Sequence, residues 1–239
     1  SSTYQFGDLF EQFILNEIIY RESYAGNDWR FSYLRTKDDV EIDLIIERPG
    51  LPIALVEIKS TEKVVILGLN GSGKSTLLQA MTGYLTLNEG SVTYSNNQQK
   101  TEDEQQYKLI SLASPYLELV EDFTLQEQIE HAHIYKPFIN HLSISQVVEL
   151  SGLSAHKNKF IKLFSSGMRQ RLKLTLAILA DAPVLFLDEP TTNLDATVID
   201  WYKNMIAIYA MHKTIVVCSN SIKEEYGFCE RIITMEDFK

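Results

Sequence analysis

The segment Gly68-Leu69-Asn70-Gly71-Ser72-Gly73-Lys74-Ser75 places two glycines either side of four residues, then Lys and Ser, and nothing else in the chain restricts its fold as much. The flanks fix the context. Val64-Val65-Ile66-Leu67 is a continuous apolar run and reads as a buried strand, while Thr76-Leu77-Leu78-Gln79-Ala80-Met81 can continue as a helix. Glycines between a strand and a helix let backbone N–H groups turn inward around a phosphate. The helix start adds free N–H donors and the positive end of its dipole. Lys74 is then placed to reach the β- and γ-phosphates of a nucleotide, and the Ser75 hydroxyl to ligate Mg²⁺. Gly68, Asn70, Gly71, Ser72, Gly73, Lys74, Ser75 and Thr76 are the candidate contacts of this P-loop.

A second segment answers the first. Val184-Leu185-Phe186-Leu187 leads into Asp188-Glu189, the pattern of a buried parallel strand with acids at its carboxyl end. Asp188 is expected to hold Mg²⁺, directly or through water, and Glu189 to polarise an attacking water.

Three further segments complete a resemblance. Phe164-Ser165-Ser166-Gly167-Met168-Arg169-Gln170-Arg171, Pro190-Thr191-Thr192-Asn193-Leu194-Asp195 and Thr214-Ile215-Val216-Val217-Cys218 follow in order. Residues 63–239 therefore resemble an ATP-binding cassette (ABC) ATPase domain, with these segments as its signature motif, its D-loop and the strand before its switch residue. The resemblance implies an α/β fold: a P-loop NTPase core with a parallel sheet, and a helical subdomain over about 115–180 that docks a partner. It also implies ATP and Mg²⁺ as ligands, ATP hydrolysis, a separate membrane permease and a transient head-to-tail homodimer. In such a dimer Ser165, Ser166 and Gly167 meet the γ-phosphate held by the other protomer, and Asp195 lies at the seam. The residues have a rationale of their own, since small hydroxyl residues just before the helical run Met168–Leu179 form an anion-suited helix end.

The chain departs from the family pattern in three places. Ser166, Gly167 and Met168 stand where the signature usually has two glycines and a Gln, and Ser114-Pro115-Tyr116 stands where a Gln is normal. The switch His is replaced by Asn220, which can donate a hydrogen bond but cannot take a proton near neutral pH. With Glu189 present, hydrolysis is expected, at a slow rate, with Glu189 and Asn220 as the catalytic pair.

The first 62 residues follow another pattern. Phe10–Tyr20 reads as an amphipathic helix, and Trp29–Leu34, Val40–Glu47 and Pro52–Ile58 as strands, giving an α+β segment with antiparallel strands. Glu41-Ile42-Asp43 followed by Glu57-Ile58-Lys59 resembles a PD-(D/E)XK nuclease core, and more closely the C-terminal domain of a prokaryotic AAA-type ATPase family of unknown function. That resemblance implies a second divalent metal site at Glu17, Asp43 and Glu57, with Lys59 beside the attacking water. The alternative function is thus a metal-dependent nuclease or nucleic-acid-processing protein with an attached ATPase. Against it, residues 1–62 carry 12 acids and 6 bases, net −6, which repels a phosphate backbone. The nuclease-like unit is also cut short where the cassette begins, so a junction near Thr61–Val64 is expected, engineered or by gene fusion. Trp29, Phe31 and Tyr33 alternate on one face and could offer either an adenine platform or a packed core face.

The whole chain has a net charge of −10, so nucleic acid is not an expected partner. No apolar stretch nears the ~20 residues of a membrane span. A start at Ser1 without Met suggests a trimmed chain or a fragment. Cys218 and Cys229 form no metal or redox motif, and the reading is a cytoplasmic protein, or one peripheral at the inner face of the membrane.

Elsewhere, Thr124–Tyr135 reads as a helix capped by Thr124 with Glu127 three residues on, and Ser143–Leu150 as a second helix capped by Ser143. Ala196–Met211 reads as a helix, Gly90–Tyr94, Tyr107–Ala113 and Arg231–Met235 as strands, and Ser95–Gln106 as a polar loop.

Overall fold

Five parallel strands make the centre of the computed structural model, which describes residues 62–85 and 107–235 together with the backbone at 30–35, 41–47, 54–55, 95–96 and 99–100. Strands β1 (Arg30–Arg35), β2 (Glu41–Glu47) and β3 (Ala54–Leu55) form a separate antiparallel sheet in that order, with a bulge between Ser32 and Leu34. The expected antiparallel strands of the first segment are thus present. The expected helix at Phe10–Tyr20, the strand at Gly90–Tyr94 and the side chains of Phe31, Tyr33 and Asp43 lie outside the described residues, as do Glu17, Trp29, Glu57 and Lys59.

The central sheet consists of β4 (Lys63–Leu67), β7 (Ile110–Ala113), β8 (Val184–Asp188), β9 (Thr214–Ser219) and β10 (Arg231–Thr234), in the order β10-β4-β9-β8-β7. The middle three strands carry continuous apolar runs between their ends because helices cover both faces of a parallel sheet. Val64, Val65, Ile66, Leu185, Phe186, Leu187, Val216 and Val217 are fully buried. Register places the carboxyl ends level, with Leu67 opposite Ser219, Asp188 opposite Cys218 and Ala113 opposite Leu187. One edge of the sheet therefore gathers the P-loop, the Asp188-Glu189 pair, Ser114 and Asn220.

Helix α1 (Lys74–Met81) follows the P-loop. Helices α2 (Leu125–Tyr135) and α3 (Ile144–Leu150) start at capping boxes, Thr124 with Glu127 and Ser143 with Gln146. Helix α4 (Ser166–Leu179) carries the signature segment and α5 (Ala196–Tyr209) follows the D-loop. A continuous apolar core joins Leu125, Ile129 and Val147 of the helices to Leu185, Leu187 and Ile215 of the sheet. A last short helix, α6 (Lys223–Tyr226), precedes β10. Among the described residues no helix is long and apolar enough to cross a membrane.

Element ends differ from the sequence reading where pairing decides them. The strand expected over Tyr107–Ala113 begins at Ile110, because its neighbour β8 begins at Val184, which pairs with Ile110. The last strand stops at Thr234 rather than Met235, since Thr234 pairs with Leu67, the last residue of β4. The stretch read as a loop from Ser95 contains two short paired strands, β5 (Ser95–Asn96) and β6 (Gln99–Lys100). Ser166 and Gly167, read as preceding the signature helix, form its first turn, with Ser165 as cap.

The opposite edge of the sheet is held by Lys213. It is fully buried, and its Nζ donates to Ile178 O at 2.9 Å and Ala180 O at 2.5 Å, the carbonyls that α4 leaves open at its end. Burial pushes the Lys213 ammonium down to about 8. Folding then favours the neutral amine, so between pH 8 and 10.5 the unfolded chain holds the extra proton and stability rises with pH. The buried Cys218 and half-buried Cys229 thiols, pushed up by loss of solvent, act in the other direction. They are common to parent and variant. Relative to Lys213→Met, the parent should therefore gain roughly 2–3 kcal/mol between pH 7 and pH 10, measured as the difference between two sets of urea midpoints. A constant difference across that range would show that Lys213 does not titrate in the fold.

Candidate active site

The P-loop closes on itself through its lysine. Gly73 sits at φ +100° as it starts α1, a left-handed conformation that side chains resist, so glycine is required there. The next residue, Lys74, is buried, and its Nζ donates to Gly68 O at 2.7 Å, to Leu69 O at 3.1 Å and to Asn220 Oδ1 at 2.7 Å. Ser75 Oγ donates to Asp188 Oδ1 at 3.2 Å. Two segments 113 residues apart in sequence thus meet.

Asp188 is held from both sides, because Ser114 Oγ donates to its Oδ2 at 3.1 Å. Ser114 is 3% exposed and Asp188 1%. Burial pushes the Asp188 carboxyl up, while the Ser75 and Ser114 hydroxyls pull it back down. Ser114 stands where the sequence showed a missing Gln, and only the structure shows what its hydroxyl does. Behind it, Lys173 of α4 donates to Ser114 O at 3.2 Å and Pro115 O at 2.8 Å, which fixes the turn.

Glu189 has a left-handed backbone, φ +43°, uncommon for a residue with a side chain. Its N–H donates to Cys218 O at 2.9 Å, and its carbonyl accepts from Thr192 N at 3.1 Å. Its carboxylate accepts from Asn220 Nδ2 at 2.6 Å and from Thr192 Oγ1 at 3.5 Å. The Asn220 amide can sit only one way round: Lys74 has no acceptor for it and the carboxylate no donor. Asn220 therefore bridges the P-loop lysine and the Glu189 carboxylate.

The signature segment is exposed at Ser165 and Ser166. Ser165 Oγ accepts from Met168 N at 3.2 Å and caps α4. A Cβ on Gly167 would lie 2.8 Å from Asn193 O, so glycine lets α4 pack against the D-loop. Asp195 caps α5, accepting from Val198 N at 3.0 Å and Thr197 Oγ1 at 2.6 Å. Gln170 Nε2 donates to Pro190 O at 3.0 Å, a second tie from α4 to the turn after Glu189. Among the described residues no group of three or more His, Cys, Asp and Glu side chains is placed to hold a metal ion.

This geometry agrees with what the chain is similar to. The ABC transporter family matches residues 54–192, more than half of the 239. An uncharacterized ABC transporter ATP-binding protein of Bacillus subtilis, YdbJ, is 33% identical over 184 residues, 76% of this chain and 59% of YdbJ. The Escherichia coli glutamate/aspartate import ATP-binding protein GltL is 28% identical over 193 residues, 77% of this chain and 79% of GltL. The chain thus spans less than two thirds of YdbJ. Among solved structures, the ATP-binding cassette MJ0796, a dimeric post-hydrolysis state bound to ADP and Pi, shares the fold with a TM-score of 0.63. That likeness covers 85% of this chain and 90% of MJ0796, at 23% identity. The fold, the P-loop set against Asp188 and the match over residues 54–192 have one reading: this chain belongs to the ABC transporter family.

Proposed function

We propose that the chain binds Mg-ATP and hydrolyses it slowly, as the cytoplasmic engine of a transport system whose membrane permease is a separate chain. The observation that carries this reading is the meeting of Ser75 with Asp188 at the carboxyl edge of the sheet. The donors there are a hydroxyl and a carboxylate, hard oxygens that suit Mg²⁺ bound with water and phosphate. Bound there, the ion would neutralise charge on the β- and γ-phosphates. Lys74 turns from Gly68 O, Leu69 O and Asn220 to the phosphates. Asn220, released by Lys74, keeps its amide on Glu189 and offers its oxygen to a water in line with the γ-phosphate. Glu189 takes up that water's proton. Ser165, Ser166 and Gly167 complete the phosphate site across a head-to-tail homodimer.

A partner contact is supported by a shallow surface depression lined by Gln79, Tyr84, Leu112, Ser114, Tyr116 and Leu117. Tyr84 and Tyr116 are exposed beside it, and aromatic side chains favour protein interfaces. The helices over about 115–180 form the rest of that docking face, at the inner side of the membrane. Residues 63–239 are the cassette in this reading and residues 1–62 a separate segment. The relatives named above are ABC proteins and lend nothing to a nuclease reading of that segment.

The test is the Mg²⁺ dependence of ATP affinity. The parent should bind ATP more tightly with Mg²⁺ than with EDTA. Asp188→Ala should weaken the Mg²⁺ contribution by roughly 10- to 100-fold or more, the range for disturbing a metal site. Titration calorimetry that finds the same Mg²⁺ effect in both proteins removes Asp188 from the site.

A further inference from the structure

Glu225 on α6 is a fully buried carboxylate. Among the described residues no basic side chain forms an ion pair with it. Burying a charge is costly unless hydrogen bonds replace its water. Here three donors do so. Glu225 Oε1 accepts from Thr191 N at 3.2 Å and Thr191 Oγ1 at 2.8 Å, and Oε2 accepts from Ser219 Oγ in a short hydrogen bond. Burial pushes the carboxyl up and these bonds oppose it. The Glu225 carbonyl accepts from the buried Tyr202 hydroxyl at 2.8 Å, which anchors the helix on α5.

The two residues it joins are not arbitrary. Thr191 is two residues past Glu189, and Ser219 immediately precedes Asn220. Glu189 and Asn220 touch each other at 2.6 Å. Both loops contain a left-handed backbone position, Glu189 at φ +43° and Ser221 at φ +70°. Such positions persist only where surrounding contacts hold them. Ser219 Oγ also accepts from Ile222 N at 3.2 Å, so the same hydroxyl fixes the turn through Ser221. An apolar side chain at 225 would fill the space without joining the loops.

We infer that Glu225 is a positioning residue for hydrolysis: it clamps Thr191 to Ser219 so that the Glu189 carboxylate and the Asn220 amide keep their mutual geometry at the γ-phosphate. The inference rests on the hydrolysis reading above and adds the residue that sets its geometry. Binding of the nucleotide runs through the P-loop and Asp188, which Glu225 does not touch. The clamp should therefore act on turnover and not on affinity.

The experiment compares Mg-ATP affinity and single-turnover phosphate release in variants of the whole 239-residue chain. Glu225→Ala should keep affinity within about threefold and lose roughly 10- to 100-fold in rate at saturation, the scale for small misplacement of reacting groups. Glu225→Gln should recover most of the rate, since its amide oxygen still accepts from Thr191 and its amide donates to Ser219. Ser219→Ala should lose part of the rate and add nothing to Glu225→Ala, because both remove the same tie. Should Glu225→Ala fail to fold, Ser219→Ala at the parental rate overturns the inference. So does a Glu225→Ala variant with the parental rate, or one whose affinity and rate fall together. A parent that releases no phosphate overturns the hydrolysis reading as well. A parent that turns over beside unaffected variants overturns the clamp alone.

Discussion

Lys74→Ala should bind Mg-ATP roughly 10- to 150-fold more weakly than the parent chain. The charge-assisted hydrogen bonds that Lys74 would make to phosphate oxygens are each worth about 1.5–3 kcal/mol net, at 1.4 kcal/mol per decade. The gain is net because the ammonium is not idle without nucleotide. It already makes three hydrogen bonds, to Gly68 O, Leu69 O and Asn220 Oδ1. Nucleotide exchanges these for phosphate contacts, so only the difference appears as affinity. Removing Lys74 also takes away a cation that would offset charge developing on the γ-phosphate during transfer. The variant should therefore lose turnover by more than its loss of occupancy explains. Titration calorimetry with Mg-ATP, followed by phosphate release at saturating nucleotide, separates the two effects. Equal affinities in parent and variant would mean that Lys74 does not face the phosphates.

What the sequence made legible is local. The P-loop could be read because its strand, glycines, lysine and hydroxyl fall within twelve residues, Val64 to Ser75, and each has a backbone reason to be there. The caps of α2 and α3 were legible for the same reason, since Thr124 with Glu127 and Ser143 with Gln146 are spaced by one helical turn. Asp188 was legible from the apolar run before it. The fold sets it against Ser75.

What stayed hidden depends on partners distant in sequence. Ser114 is an ordinary residue until β7 is laid beside β8, which brings its hydroxyl to Asp188 across 74 positions. Glu225 reads as a solvated acid after Glu224 until α6 turns it inward toward Thr191, 34 positions back. Strand ends fail in the same way: β7 starts where β8 starts and β10 stops where β4 stops. Propensity within the strand holds no record of its neighbour's length. The first 62 residues were read from short acidic patterns, and their strands formed as expected while the side chains that would test the metal site are not described.

Glu189→Gln should retain Mg-ATP binding and lose turnover by at least about 100-fold, the scale of a general base. Glu189 follows Asp188 at the end of β8, on a left-handed backbone that its N–H bond to Cys218 O holds in place. Gln keeps the size and can still accept from Asn220 Nδ2, so the loop should keep its shape and only the base is lost. An arrested ATP state should then reveal the assembly. A P-loop surrounds one side of a triphosphate, whereas Ser165 and Ser166 are exposed at the start of α4 and offer a second set of donors. In a head-to-tail two-fold, each protomer lends its signature to the nucleotide of the other, and the contact closes without leading to a filament. The expected result is a monomer without nucleotide and a dimer of Glu189→Gln with saturating Mg-ATP, measured by light scattering. Adding Ser165→Glu should dissolve the dimer while nucleotide affinity of the monomer stays unchanged, because a carboxylate there faces the partner's γ-phosphate. A mass that remains monomeric in Glu189→Gln at saturation would mean that this cassette pairs only with a different chain. Parental turnover in Glu189→Gln would move the base to another residue, and Asn220, which cannot take the proton, could not be that residue.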